Sequence, residues 1–408
     1  MARRWLCGLV CVLLVGGAPV GHAQSACEIV EAAQLQAVLT RCAGQHVRLA
    51  PGRYPSGPLF LASGTTFELA AGATLVATDE PDAYARPDGG LYALVNAADA
   101  SQITLTGSGT IDGNGASWWE RTRAAQRAGQ TPPNRPRLVA LDRCSHVRVE
   151  GIRLEDSPSF HHVFRSCTDV LVDGVTITAP ADSPNTDGID PMSSHDVRIT
   201  GSTIDSGDDN IAVKSGLDDP AYPGAGSSDI SVDNCTFLHG HGVSIGSETN
   251  GGVQSVSVSN STFRDTQNGA RIKTNRQVGG PISHIVYSNL SMQGVQQPIA
   301  FASYYPSIPA VDAERQEPVS PTTPQVSDVL VSNVQATDAQ RAGWIVGLPE
   351  APMRAITLAD VSIAARGGLQ VRNAAVTLVR ARIDVQQGPD VLTEGSGLLL
   401  RGAPVQVP

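Results

Sequence analysis

Aspartates, an imidazole and a pair of cations recur between Asn185 and Lys273, in a chain of 408 residues of which only 17% are Asp, Glu, Lys or Arg. The segments read Asn185-Thr186-Asp187, Gly207-Asp208-Asp209, Gly240-His241-Gly242 and Arg271-Ile272-Lys273. Carboxylates a few ångströms apart cannot all ionise without penalty, so at least one must keep or share a proton. An acid beside a base near neutral pH is what glycoside hydrolysis requires: a carboxylic acid protonates the departing oxygen and a carboxylate activates water. Arg271 and Lys273 flank an apolar Ile272, so a strand sends both side chains to the same outer face. A guanidinium fork beside an ammonium suits a carboxylate on the substrate. The chain contains only two lysines, Lys214 and Lys273, and both fall in this stretch. Taken singly, an Asp-Asp pair is usually a solvated turn and a histidine a satisfied structural one. Convergence is what turns them into a site.

For these segments to converge, the chain between them must return to one place, and a repeat provides the return. It reads Ile103-Thr104-Leu105-Thr106-Gly107, Val147-Arg148-Val149-Glu150-Gly151, Val170-Leu171-Val172-Asp173-Gly174 and Val197-Arg198-Ile199-Thr200-Gly201. It continues as Ile230 to Asn234, Val256 to Asn260, Ile285 to Asn289, Val329 to Asn333 and Ile356 to Asp360. Nine times the closing residue is Gly, Asn or Asp, the types that tolerate a left-handed backbone. The bends lie 23 to 33 residues apart, except for two gaps of 44 that contain long excursions. This organisation predicts an all-β, right-handed parallel β-helix, with coils stacked as neighbouring strands are. A β-propeller would have longer and more uniform units. Aligning the apolar Ile189, Ile211, Val243 and Ala270 stacks Asp187, Asp209, His241 and Asn268 in one column, with Asp208 beside it. Asn234, Asn260 and Asn289 head Asn-x-Ser/Thr triplets, but their place in the bend series accounts for them better than glycosylation.

A solenoid needs covered ends. Ser25-x-x-Glu28 has the form of a capping box, and the apolar residues from Ile29 to Leu39 predict a helix over residues 25–42 closing the N-terminal end. Two segments leave the repeat: 113–137, containing Trp118-Trp119, and 303–325, which begins near Tyr304-Tyr305. Trp118-Trp119 is expected to pack the first against the coils, and long excursions are commonly functional.

Residues 1–23 carry Arg3-Arg4, an apolar run and a small-residue ending at Ala23, as in a secretory signal peptide. The expected mature chain is one domain, 24–408, secreted or periplasmic and monomeric, and no later apolar run is long enough for a spanning helix. Removing the signal moves the net charge from −10 to −12, which argues against nucleic acid as a partner. Of the five remaining cysteines, Cys27 and Cys42 form the expected disulfide, and Cys144, Cys167 and Cys235 read as buried hydrophobes. No cysteine or histidine spacing suggests a metal site, and no cofactor is expected.

The four segments, extended through Asn185 to Pro191 and Gly207 to Gly216, resemble the signature of polygalacturonases, family 28 glycoside hydrolases. Asp112-Gly113-Asn114-Gly115 followed by Trp118-Trp119 resembles the N-terminal half of the same family. The resemblance implies an inverting hydrolase of α-1,4-linked galacturonic acid chains. Asp208 would be general acid, Asp187 and Asp209 would activate water, and His241 would support the acid. Arg271 and Lys273 would hold a galacturonate carboxylate, with Asn185 and Tyr305 also binding substrate and Tyr304 the alternative to Tyr305. The residues themselves do not choose which aspartate is the acid. Compared with compact members, the segments Leu217–Ser228 and Ser303–Gln325 are long, which suggests exo action. The other readings are a hydrolase of rhamnogalacturonan or substituted galacturonan, a calcium-dependent pectate lyase, and a non-catalytic carbohydrate-binding β-helix.

Overall fold

A computed structural model describes residues 27–216 and 226–402. The expected signal peptide, and residues 217–225 of the long segment after the Asp208 motif, lie outside the described residues. The chain winds into a right-handed parallel β-helix, each strand pairing in parallel with its counterpart one coil away. Apolar residues at equivalent positions stack into ladders along the interior. One runs Ile103, Val147, Val170, Val197, Ile230, Val256, Ile285, Val329 and Ile356, all in register. Each is at most 2% exposed, and burying such a side chain stabilises the fold by roughly 1.5–3 kcal/mol.

All nine predicted bend residues, from Gly107 to Asp360, have φ between +50° and +111°. Three of the asparagines among them are linked across coils: Asn289 Nδ2 donates to Asn260 Oδ1 (3.1 Å) and Asn333 Nδ2 to Asn289 Oδ1 (2.8 Å). A second left-handed bend, not expected from the sequence, precedes each repeat strand at Gln102, His146, Asp169, Asp196, Asp229, Ser255, His284, Asp328 and Ala355.

One face of the solenoid carries the site. Its strands are β1 (Val95–Ala98), β2 (Val139–Asp142), β3 (His162–Arg165), β4 (Ile189–Met192), β5 (Ile211–Ser215), β6 (Val243–Thr249), β7 (Asn268–Lys273) and β8 (Gln297–Ala302). Their register aligns Val95, Val139, His162, Ile189, Ile211, Val243, Ala270 and Ile299.

The N-terminal cap differs from expectation. Glu28–Ile29 form a short strand beside His46–Leu49, and the helix α1 covers only Leu35–Arg41 after a 3₁₀ turn. Glu28 caps nothing; its carboxylate pairs with Arg48 at 2.5 Å. Ile29 is fully buried in this edge strand, and the Cys27–Cys42 disulfide closes the segment over the solenoid's end. Leu35, Val38 and Leu39 form the buried stripe of α1. Cys144, Cys167 and Cys235 are buried thiols. The 113–137 excursion folds as helix α2 (Ala116–Arg127), which buries Trp118 and Trp119, and Trp119 Nε1 donates to Ser157 O at 3.1 Å. The tryptophans are packing residues.

Candidate active site

The register sets Asp187, Asp209, His241 and Asn268, each two residues before its aligned Ile189, Ile211, Val243 or Ala270, on four successive coils. Backbone contacts hold the coils at this edge: Gly188 N donates to Asp209 O (2.9 Å), and His241 N to Asp208 O (2.8 Å). The glycines around His241 are required there. A Cβ at Gly240 (φ +71°) would sit 2.5 Å from Asp208 O, and one at Gly242 (φ +79°) 2.0 Å from Asn268 O. Asn210, buried between them, accepts from Gly242 N at 2.9 Å and donates to Ile204 O at 3.2 Å, locking the turn that presents Asp208 and Asp209.

Asp208 is the aspartate nearest solvent. Its side chain is 19% exposed, against 4% for Asp187 and 0% for Asp209. His241 Nδ1 lies 2.9 Å from Asp208 Oδ1, and Asn185 Nδ2 donates to Asp208 Oδ2 at 3.4 Å. Asn185 itself adopts a left-handed backbone (φ +53°) and is oriented by Arg135, whose Nη2 donates to Asn185 Oδ1 at 2.7 Å.

Arg271 and Lys273 emerge on the same face, as alternation requires, and converge on Asp209. Arg271 Nη1 is 2.9 Å from Oδ1 and Lys273 Nζ 2.5 Å from Oδ2. Ser244, in register with Arg271, donates to Oδ1 at 2.8 Å. The Tyr305 ring lies over both cations, 5.1 Å from Lys273 Nζ and 5.9 Å from Arg271 Cζ. Tyr304 points elsewhere, its hydroxyl donating to Glu314 at 2.8 Å, so Tyr305 is the tyrosine brought to the site. On the other side, Lys214 Nζ lies 3.0 Å from Asp190 Oδ2, 3.6 Å from Asp187 Oδ2 and 4.4 Å from the centre of the Phe160 ring.

These surroundings split the carboxylates. Burial, then the neighbouring Asp190, push Asp187 well above the usual carboxylate range, and Lys214 offsets only part of this. Burial also pushes Asp190 up to about 6 against the pull of Lys214. Burial opposes ionisation of Asp209 too, but Lys273 and Arg271 hold it far below the ordinary value. At Asp208 burial is outweighed chiefly by the His241 hydrogen bond, and its pKa lies below the ordinary value.

All eight residues singled out from the sequence therefore meet here. Sequence reasoning missed Arg135, Phe160 and Ser244, whereas Asp190, expected to be structural or to support the site, does so through Lys214. Ser244 was reachable by strand alternation. Arg135 and Phe160 sit in irregular segments where no periodicity points. Asp182, by contrast, is exposed and pairs with Arg123, and Asp205 pairs with His239; both stand outside the site.

A family model, glycosyl hydrolases family 28, matches residues 53–381, and this chain belongs to that family. It is 31% identical over 385 residues to an endo-polygalacturonase of Pectobacterium carotovorum, covering 87% of this chain and 90% of the relative. It is 34% identical over 286 residues to a polygalacturonase of Cryptomeria japonica, of whose length it spans about half (51%) while 66% of this chain is matched. Among solved structures it resembles the polygalacturonase of Erwinia carotovora, with 27% identity, a TM-score of 0.69 and coverage of 90% and 96% of the two chains.

Proposed function

We propose that the chain hydrolyses α-1,4-linked galacturonic acid chains with inversion of configuration. The observation that carries this reading is the convergence of Asp187, Asp208, Asp209 and His241 beside Arg271 and Lys273, in a member of family 28. Asp208 is the acid, because of the three aspartates it is the one that reaches solvent. In the free site it and His241 share a hydrogen bond that favours the carboxylate. An anionic sugar arriving beside them adds negative charge and raises the proton affinity of Asp208 at the moment an acid is needed. Asp209, held ionised by its two cations, is the standing base for water, and Asp187 joins it on losing its proton.

Arg271 and Lys273 serve two partners. Asp209 engages one donor of the guanidinium and one of the ammonium, which leaves further N–H groups of each for a substrate carboxylate, with Tyr305 as the adjoining wall. The ligand atoms of Asp208, Asp209 and His241 lie within 4.8 Å of one another, as a metal site would have them. Two cations already on Asp209 repel a divalent ion there, which favours hydrolysis over calcium-assisted elimination.

The 303–325 excursion is tied beside the site by Arg276, whose Nη2 donates to Arg315 O at 2.9 Å and whose Nη1 lies 3.5 Å from Glu317 Oε1. A fixed wall at this end favours removal of sugars from chain ends. We read the protein as a secreted or periplasmic monomer. Incubation of purified protein with polygalacturonate, rhamnogalacturonan and neutral galactan tests the reading. Reducing ends released from polygalacturonate, first appearing as the β-anomer by NMR, are expected. Retention of configuration, an unsaturated product or binding without cleavage would each replace it, and abundant intermediate oligomers early in digestion would count against exo action.

A further inference from the structure

A second cationic feature lies on the same face, toward the N-terminal end. A cavity of about 430 Å³ opens above β1, β2 and β3, one to three coils before the Asp187 coil, and is lined by Arg137, Arg143, Arg165 and Tyr92. Arg135 lines it too and also holds Asn185, which touches Asp208, so one residue links the cavity to the site. Arg165 and Arg143 have a carboxylate in the floor, Asp142, and Arg143 a further one in Asp99. Arg137 does not. Its guanidinium lies 5.6 Å from the centre of the Phe160 ring, the ring that Lys214 approaches from the catalytic side, and among the described residues it forms no ion pair. Burial presses its pKa below the ordinary value, and Asp190, Asp142 and Asp187, none of them paired with it, offset this only in part.

An arginine set largely out of water without a counter-ion costs free energy unless something anionic completes it. We propose that Arg137 binds the carboxylate of a sugar across the scissile bond from the one held by Arg271 and Lys273, so that two carboxylates bracket the cleavage point. This rests on the galacturonan reading and assigns the sugar on the second side. The Phe160 ring lies against the Arg137 guanidinium, which lines the cavity, and a guanidinium fork suits a planar carboxylate. The consequence is a specificity rule: the sugar on the Arg137 side must be a free acid, not its neutral methyl ester.

The test uses oligogalacturonates of defined methyl-esterification, with cleavage positions read by mass spectrometry, for the wild-type protein and for Arg137→Gln and Arg137→Lys. A hydrogen bond to a charged group is worth about a ten- to hundredfold effect. Arg137→Gln is expected to lower kcat/KM on unesterified oligomers by about that factor, mainly through KM. It should also erase a comparable preference for the free acid over the ester on that side, while Arg137→Lys keeps part of it. An Arg137→Gln protein that retains the preference, whether or not overall activity falls, overturns the proposal. If wild-type protein cleaves no galacturonan, the parent reading fails instead. The pocket is then tested by calorimetry with galacturonate alone, where binding lost in Arg137→Gln supports it and equal binding, or none by wild-type protein, overturns it. If Arg137→Gln does not fold, Arg137→Lys carries the same comparison.

Discussion

Asp187 and Asp209 occupy the same position on adjacent coils, are both buried, and have opposite electrostatics. Asp209 has two cations to itself, with Ser244 as a further donor. Asp187 shares one lysine with Asp190, which takes the closer contact, 3.0 Å against 3.6 Å. One extra carboxylate on one side and one extra cation on the other raise the pKa of the first group and lower that of the second. Equal burial thus yields one carboxyl that favours its proton and one that favours ionisation within one stack.

The largest effect is expected at Asp208, which belongs to neither environment. Asp208→Asn should lower kcat by about 10³-fold with little change in KM or Tm, since general acid catalysis is worth roughly 10²–10⁴; a rate within a few-fold of wild type would remove it as the acid. Asp209→Asn breaks the base side. It strands Arg271 and Lys273 without their counter-charge, and urea unfolding should show a loss of about 3–5 kcal/mol on top of lost activity. Lys214→Met acts on the Asp187 side. Without the ammonium, Asp187 holds its proton more tightly, so the acidic limb of kcat/KM should move to higher pH, with activity at pH 5 falling more than activity at pH 8.

The two environments also predict opposite slopes of stability with pH. Asp190, raised from the ordinary 3.8 to about 6, binds its proton more tightly in the folded chain. Its contribution is full below about pH 4 and is lost as pH rises through about 6. Asp209, lowered by folding, contributes above the ordinary carboxylate range and loses that contribution as pH falls through its depressed folded value. Asp190→Asn should therefore flatten the decline of unfolding free energy between pH 4 and 7, by on the order of 2 kcal/mol. The smallest effect is expected at Tyr305. Tyr305→Ala should raise KM several-fold through loss of the wall over the cations, and Tyr305→Phe should recover most of it, because a ring face over a cation is worth about 0.5–2 kcal/mol.

Much of this arrangement is legible in the sequence. The bend series from Gly107 to Asp360 fixed coil spacing because Gly, Asn and Asp mark a left-handed backbone, and the column of Asp187, Asp209, His241 and Asn268 followed from aligning inward apolar residues. The second bend series was not legible, because Gln102, His146, Ser255 and Ala355 share no chemistry; neighbouring coils impose that conformation on them. The turn of Arg271 and Lys273 toward Asp209 was equally hidden. Alternation gives the face a side chain emerges on, not the partner it finds. The N-terminal helix was overextended for a related reason: a capping-box pattern competes with an exposed sheet edge, and the edge took Glu28 and Ile29.

The split between Asp187 and Asp209 is most directly tested by ¹³C NMR titration of the aspartate carboxyl carbons, with Asp187→Asn and Asp209→Asn proteins supplying the assignments. Asp187 is expected to titrate well above the usual carboxylate range and Asp209 below it. Two carboxyls titrating together near pH 4, or Asp209 protonating first, would contradict the account.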